Sequence, residues 1–106
     1  MKTNVEKRAV ERIPIQIDFH CFQMDCFGTI ANLSETGMFI SSNKITFPFK
    51  YQFNIYIPLK GDMLNIRVQV NRLNKAHGYY DGLGVELINP PLAYLEFVSY
   101  LKSSKN

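Results

Sequence analysis

Five residues in the first third of the chain have types and spacing suited to holding a ligand. Arg8 and Arg12 are four apart in "KRAVER". Asn32, Ser34 and Gly37 follow about twenty residues later in "NLSETGMFI". On a helix, the two guanidinium groups would share one face. On an extended arm they can still converge on one ligand. Asn32 supplies both a donor and an acceptor, and Ser34 a hydroxyl that does either. Gly37 permits a positive φ or a close approach to the backbone. Residues of these types could hold a small anionic molecule by charge and hydrogen bonds, with no bond made or broken. Taken alone, each half reads as something plainer: a solvated basic tail and a turn.

Catalytic constellations are not found. There is no glycine-rich phosphate loop, no Walker lysine, no serine elbow and no HExxH. His20 sits in a strand pattern and His77 in a loop, with no acid partner evident for either. Cys21 and Cys26 are the two cysteines. Their offset across a hairpin allows a disulfide, but a cytoplasmic chain is expected to keep them as reduced, partly buried thiols. Neither they nor the histidines have zinc-type spacing, so no metal site is expected. The chain reads as a non-enzyme without a cofactor.

The elements that position these residues are mostly strands. Ile13, Ile15, Ile17, Phe19 and Cys21 alternate with Gln16, Asp18 and His20, which is the period of a half-buried strand. "CFGTIANL" reads as a second strand and "MFIS" as a third. "YQFNIYIPL" alternates again. After the turn at Lys60–Asp62 comes the clearest strand, with Leu64, Ile66, Val68 and Val70 on one face and Asn65, Arg67, Gln69 and Asn71 on the other. "KAHGYYDG" reads as a loop and "LGVELI" as the last strand. Asn89 is placed as a helix N-cap with Pro90 and Pro91 in the first turn. Apolar residues at 92, 94, 95, 97, 98 and 101 then make an amphipathic helix. Six strands and one helix imply a mostly β fold: a six-stranded antiparallel barrel with a C-terminal α-helix.

Size fits one domain. The 106 residues are 46% hydrophobic, enough for one core and too few for two. Residues 1–12 are expected to form a flexible N-terminal arm, and 13–106 the barrel and helix. Apolar runs of a few residues are far short of the roughly 20 needed to span a bilayer. With no signal peptide visible, a cytoplasmic location and no membrane insertion are expected. A net charge of +3 suits a small anion better than a nucleic acid.

Arg-x-x-x-Arg followed by Asn-x-Ser-x-x-Gly, both set against a small barrel, resembles the PilZ domain, a family of bacterial receptors for cyclic di-GMP. "RIPIQIDFHC" is similar to the family's first strand after the arginine motif, and "GLGVELIN" to its late glycine-containing strand. The resemblance implies that Arg8, Arg12, Asn32, Ser34 and Gly37 bind cyclic di-GMP. An arginine can fork onto phosphate oxygens or onto guanine O6 and N7, which a lysine cannot. Lys7, where the family sets one ligand or a stacked pair, and Gly84, near the family's site, are secondary candidates. Tyr79 and Tyr80 could stack on a base, though packing is the plainer role. Lys44, Lys50, Lys60 and Lys75 read as solvated. Glu35 and Thr36 read as ordinary turn residues.

The resemblance also implies a receptor that orders its N-terminal arm on binding and signals to a downstream protein partner, with motility or biofilm output. Two alternatives remain at this level. One is an adaptor of the same fold that docks on a protein without ligand. The other is a small-barrel nucleic-acid binder, which would show exposed aromatics on a sheet face. The strand aromatics alternate with polar residues and are expected to serve the core.

Overall fold

The computed structural model describes residues 12–22, 25–43, 47–76 and 79–104, with the backbone alone for 74–76 and 79–81. Six strands, β1 (Ile13–Cys21), β2 (Cys26–Leu33), β3 (Gly37–Ser42), β4 (Gln52–Leu59), β5 (Asp62–Ala76) and β6 (Tyr79–Ile88), precede one helix, α1 (Leu92–Ser104). The strands close in the order β1-β2-β3-β6-β5-β4, all antiparallel. Closure removes the free sheet edges that a six-stranded open sheet would expose.

Period-two alternation drives the barrel. Phe19, Cys21, Ile30, Ile40, Ile55, Ile57, Ile66, Val68 and Val70 all point inward and are essentially solvent-free. Their outward neighbours on β4 and β5 form a polar ladder: Gln52 donates to Gln69, Asn54 to Asn65, and Arg67 to Asn54. Such cross-strand pairs fix the register that the inward face demands.

The register shifts at four places among the described strands, and two of them bear on the site. The β2–β3 register shifts between Ile30 and Asn32, and the β5–β6 register between Val70 and Arg72. Each shift is a β-bulge, in which two consecutive residues oppose one and both turn outward. Strict alternation from Ile30 and Val70 would bury Asn32 and Arg72. The bulges bring both side chains to the surface, where Asn32 is half-buried and Arg72 exposed.

Three expectations need correction. The segment read as a loop at "KAHGYYDG" is mostly strand: β5 runs to Ala76 and β6 starts at Tyr79. Asn89 is not a helix cap. Its φ is +49°, a left-handed conformation that Asn tolerates, and it ends β6. The Pro91 carbonyl instead accepts from the Tyr94 and Leu95 amides and opens α1. Finally, Cys21 and Cys26 are not reduced thiols: they form a disulfide. They are direct partners across the β1–β2 hairpin, both inward and both buried, so the register itself brings the sulfurs together.

Helix α1 covers the barrel with Tyr94 and Val98, both fully buried. Leu95, Phe97 and Leu101 pack against the same core from the edges of that face.

Candidate functional site

The Asn32–Gly37 stretch links β2 to β3 and is held from every side. The Ser34 amide donates to the Gly37 carbonyl at 2.9 Å. The Ser34 hydroxyl accepts from the Thr36 and Gly37 amides, both at 3.2 Å. Its own proton is directed at the Gly37 carbonyl, 3.4 Å away. The Leu87 amide of β6 donates to the Thr36 carbonyl. From α1, the Tyr94 hydroxyl donates to the Ser34 carbonyl at 2.6 Å, and Lys102 pairs with Glu35 at 2.5 Å. Burial pushes the Tyr94 hydroxyl well above the ordinary tyrosine range. The Glu35 charge adds to that effect and Arg12 opposes it. Tyr94 therefore stays a donor at any ordinary pH.

This geometry defines what one expected site residue and one expected turn residue do. Ser34 is 1% exposed with its hydroxyl committed to the loop. In this geometry it shapes the floor from within the loop. Glu35, read as an ordinary turn residue, is an anchor for α1. The lysine hydrogen bond is the main cause that holds its carboxyl below the usual range, helped by a hydrogen bond from its own backbone.

Arg12 and Asn32 do meet. Pro14 of β1 pairs with Asn32 of β2, so Arg12, two residues earlier, lies diagonally across from Asn32 on the outward face. The Arg12 Nη1 donates to Asn32 Oδ1 at 2.9 Å. That bond goes to the Asn32 carbonyl oxygen and leaves its amide N–H groups unengaged among the described residues. Arg8 and Lys7 lie outside the described residues, as do His77, Lys44 and the side chains of Lys75, Tyr79 and Tyr80.

Gly37 has no positive φ. Its reason is close approach: a Cβ there would lie 2.9 Å from the Val85 carbonyl oxygen of β6 and 3.6 Å from Arg12 Nη2. The Arg12 guanidinium thus lies over bare backbone. Gly84, two residues along β6 from the partner of Gly37, repeats the arrangement with Arg72. A Cβ on Gly84 would meet Arg72 Cβ at 3.2 Å and Nε at 3.3 Å.

These residues border one open cavity of about 420 Å3, with Arg12, Thr36 and Gly37 on one side and Asn71, Arg72, Gly84 and Glu86 on the other. A larger hollow of about 640 Å3 over β1–β3 is bordered by Asp18, His20 and Phe27, with no lysine or arginine among the described residues that line it. Sequence reading missed Arg72. Alternation gives it an inward position, and only the bulge corrects that. It also misplaced Phe27, which is 54% exposed and clusters with His20, Phe22 and Tyr56 outside the barrel. Phe19 and Phe53 serve the core as expected. Among the described residues, no group of three or more His, Cys, Asp or Glu side chains could hold a metal ion. None of their helices is long and apolar enough to cross a membrane.

Comparison with known proteins gives three findings. No curated protein matches the sequence. The solved structure of the Bacillus subtilis inhibitor of motility (MotI/DgrA) superposes with a TM-score of 0.74 at 14% identity, over 94% of this chain and 53% of that one. The chain thus spans about half of that protein, and the likeness is one of fold. The family model for the PilZ domain matches residues 6–101. That match takes in both arginines, the Asn-x-Ser-x-x-Gly loop, all six strands and most of α1, and the chain belongs to the PilZ domain family.

Proposed function

We propose that the chain is a receptor for cyclic di-GMP, bound in the cavity between Arg12, Gly37 and the β5–β6 wall, with Asn32 reached through Arg12. The observation that carries this is the hydrogen bond to Asn32 from Arg12, the arginine that lines the cavity beside Gly37. It joins two motifs twenty residues apart over a rigid floor. The guanidinium of Arg12 serves a phosphate or the O6/N7 edge of a guanine, and the Asn32 amide donates to a neighbouring acceptor. Ser34 and Gly37 act by holding the floor and keeping its surface flat. Arg8, four residues before Arg12, adds the second guanidinium of that motif from the N-terminal segment.

The floor is tied to α1 through Tyr94–Ser34 and Lys102–Glu35. Arg12 already lies on the floor; ligand that draws the segment before it onto the same floor changes the surface presented and loads this helix contact. A partner protein reads the change. Inhibition of motility, which the structural neighbour's name describes, is one such output.

This reading places the protein in the cytoplasm. Reductants there keep accessible pairs as thiols. Cys21 and Cys26 are fully buried, so reduction requires the β1–β2 hairpin to open.

Titration calorimetry with cyclic di-GMP tests the reading. Binding is expected at micromolar Kd or tighter, about −8 kcal/mol or better. Arg12→Ala and Arg8→Ala should each remove most of it. No heat with wild-type protein at high ligand concentration overturns it.

A second reading, an adaptor without ligand, draws on the exposed cluster of His20, Phe22, Phe27 and Tyr56. That face does not suit nucleic acid. β1, β2, β3 and β4 carry no lysine or arginine to neutralise a phosphate backbone.

A further inference from the structure

The cavity has two arginines, and the family motifs account for one. We propose that Arg72 contacts the ligand directly, as the second of two arginine–glycine half-sites. The inference rests on the cyclic di-GMP reading above.

The geometry is repeated across the β3–β6 pair. Gly37 stands opposite Glu86, and Phe39 opposite Gly84, with the inward pair Met38 and Val85 between them. The two glycines are therefore diagonal neighbours on one outward face. Each lies under a guanidinium: Arg12 over Gly37 and Arg72 over Gly84. A side chain at Gly84 would crowd Arg72 at 3.2–3.3 Å, whereas one at Gly37 would clash first with the Val85 carbonyl beneath Arg12.

The surroundings of Arg72 leave it unspent. Glu86 is the acid nearest in register, but its carboxylate accepts from the Asn71 amide at 2.8 Å. Asn71 also accepts from Gln69. Among the described residues, the Arg72 guanidinium has no hydrogen bond or ion pair. An arginine turned outward by a bulge, laid on a glycine and lacking a partner of its own has its whole donor fork free.

Cyclic di-GMP has two identical halves, each with a phosphate and a guanine. Two guanidinium groups on opposite sides of one cavity match two such halves. The acceptor that Arg72 takes is a paired one, either phosphate oxygens or guanine O6 and N7.

The test is calorimetry with cyclic di-GMP on wild type, R12A, R72A, R72K and G84V. R72A should bind about 10- to 100-fold more weakly, with its thermal midpoint unchanged, because the side chain is exposed. R72K should recover part of the loss if the acceptor is a phosphate, and none if it is a guanine edge. G84V keeps Arg72 but displaces it, and should weaken binding as R72A does. If wild type binds and R12A weakens it while R72A and G84V stay within twofold of wild type, the Arg72 inference fails and the receptor reading stands. If wild type does not bind, both fall.

Discussion

The Tyr94 hydroxyl donates a 2.6 Å hydrogen bond to the Ser34 carbonyl, across sixty positions of sequence. Both residues are solvent-free. The bond ties the last element of the fold to the floor of the candidate site, so the two should loosen together. Tyr94→Phe keeps the ring and removes the donor, leaving a buried carbonyl with one partner fewer. The loss should be about 1–2 kcal/mol of stability, a fall in Tm of about 5–10 °C. Hydrogen exchange should rise at the Thr36 and Gly37 amides as well as in α1. Faster exchange in α1 alone would mean the helix and floor are not coupled.

Gly37 and Arg12 should separate stability from binding. A methyl group at Gly37 would sit 2.9 Å from the Val85 carbonyl oxygen, with strand backbone on one side and little room to yield. Gly37→Ala should therefore lower stability by about 1–3 kcal/mol through overpacking and weaken ligand binding. Arg12→Ala should weaken binding with a stability change within about 0.5 kcal/mol, since Arg12 is exposed. Chemical denaturation beside calorimetry distinguishes them. A Gly37→Ala protein as stable as wild type would remove the close-approach explanation.

What the sequence made legible divides along physical lines. The inward face of β5, Leu64 to Val70, follows from alternation because a strand's period is local. The Arg-x-x-x-Arg and Asn-x-Ser-x-x-Gly spacings are local too, and the second falls on the loop that Arg12 meets. Arg72 was hidden because one inserted residue at a bulge inverts every side chain after it. Glu35 as a helix anchor and Ser34 as a committed hydroxyl depend on partners far along the chain, Lys102 and Tyr94, and no spacing rule reaches them. The Cys21–Cys26 pairing was open to geometry, but expected compartment outweighed it.

The disulfide closes a short hairpin, and its effect should be measurable. For a loop of this size the chain-entropy model gives about 2 kcal/mol. Reduction should lower Tm by about 10 °C. Alkylation in denaturant, read by mass spectrometry, should add nothing to the purified protein before reduction and two groups after it. Two groups before reduction would show that the protein carries thiols at these positions.

The Glu35–Lys102 pair should make part of the helix anchoring depend on pH. Its carboxyl lies below the ordinary 4.5 in the folded protein, chiefly through the lysine hydrogen bond. A depressed acid stabilises the fold in its charged form. The contribution is therefore complete above pH 4.5 and is lost as pH falls through the lowered value. Both side chains are about one-third exposed, so solvent limits it to about 0.5 kcal/mol. Glu35→Gln should melt about 2–4 °C below wild type at pH 7. The gap should hold down to about pH 5 and close on further acidification, because protonated glutamate and glutamine then make the same neutral contact. A gap that persists at pH 3 would assign the difference to packing and remove the charge from the account.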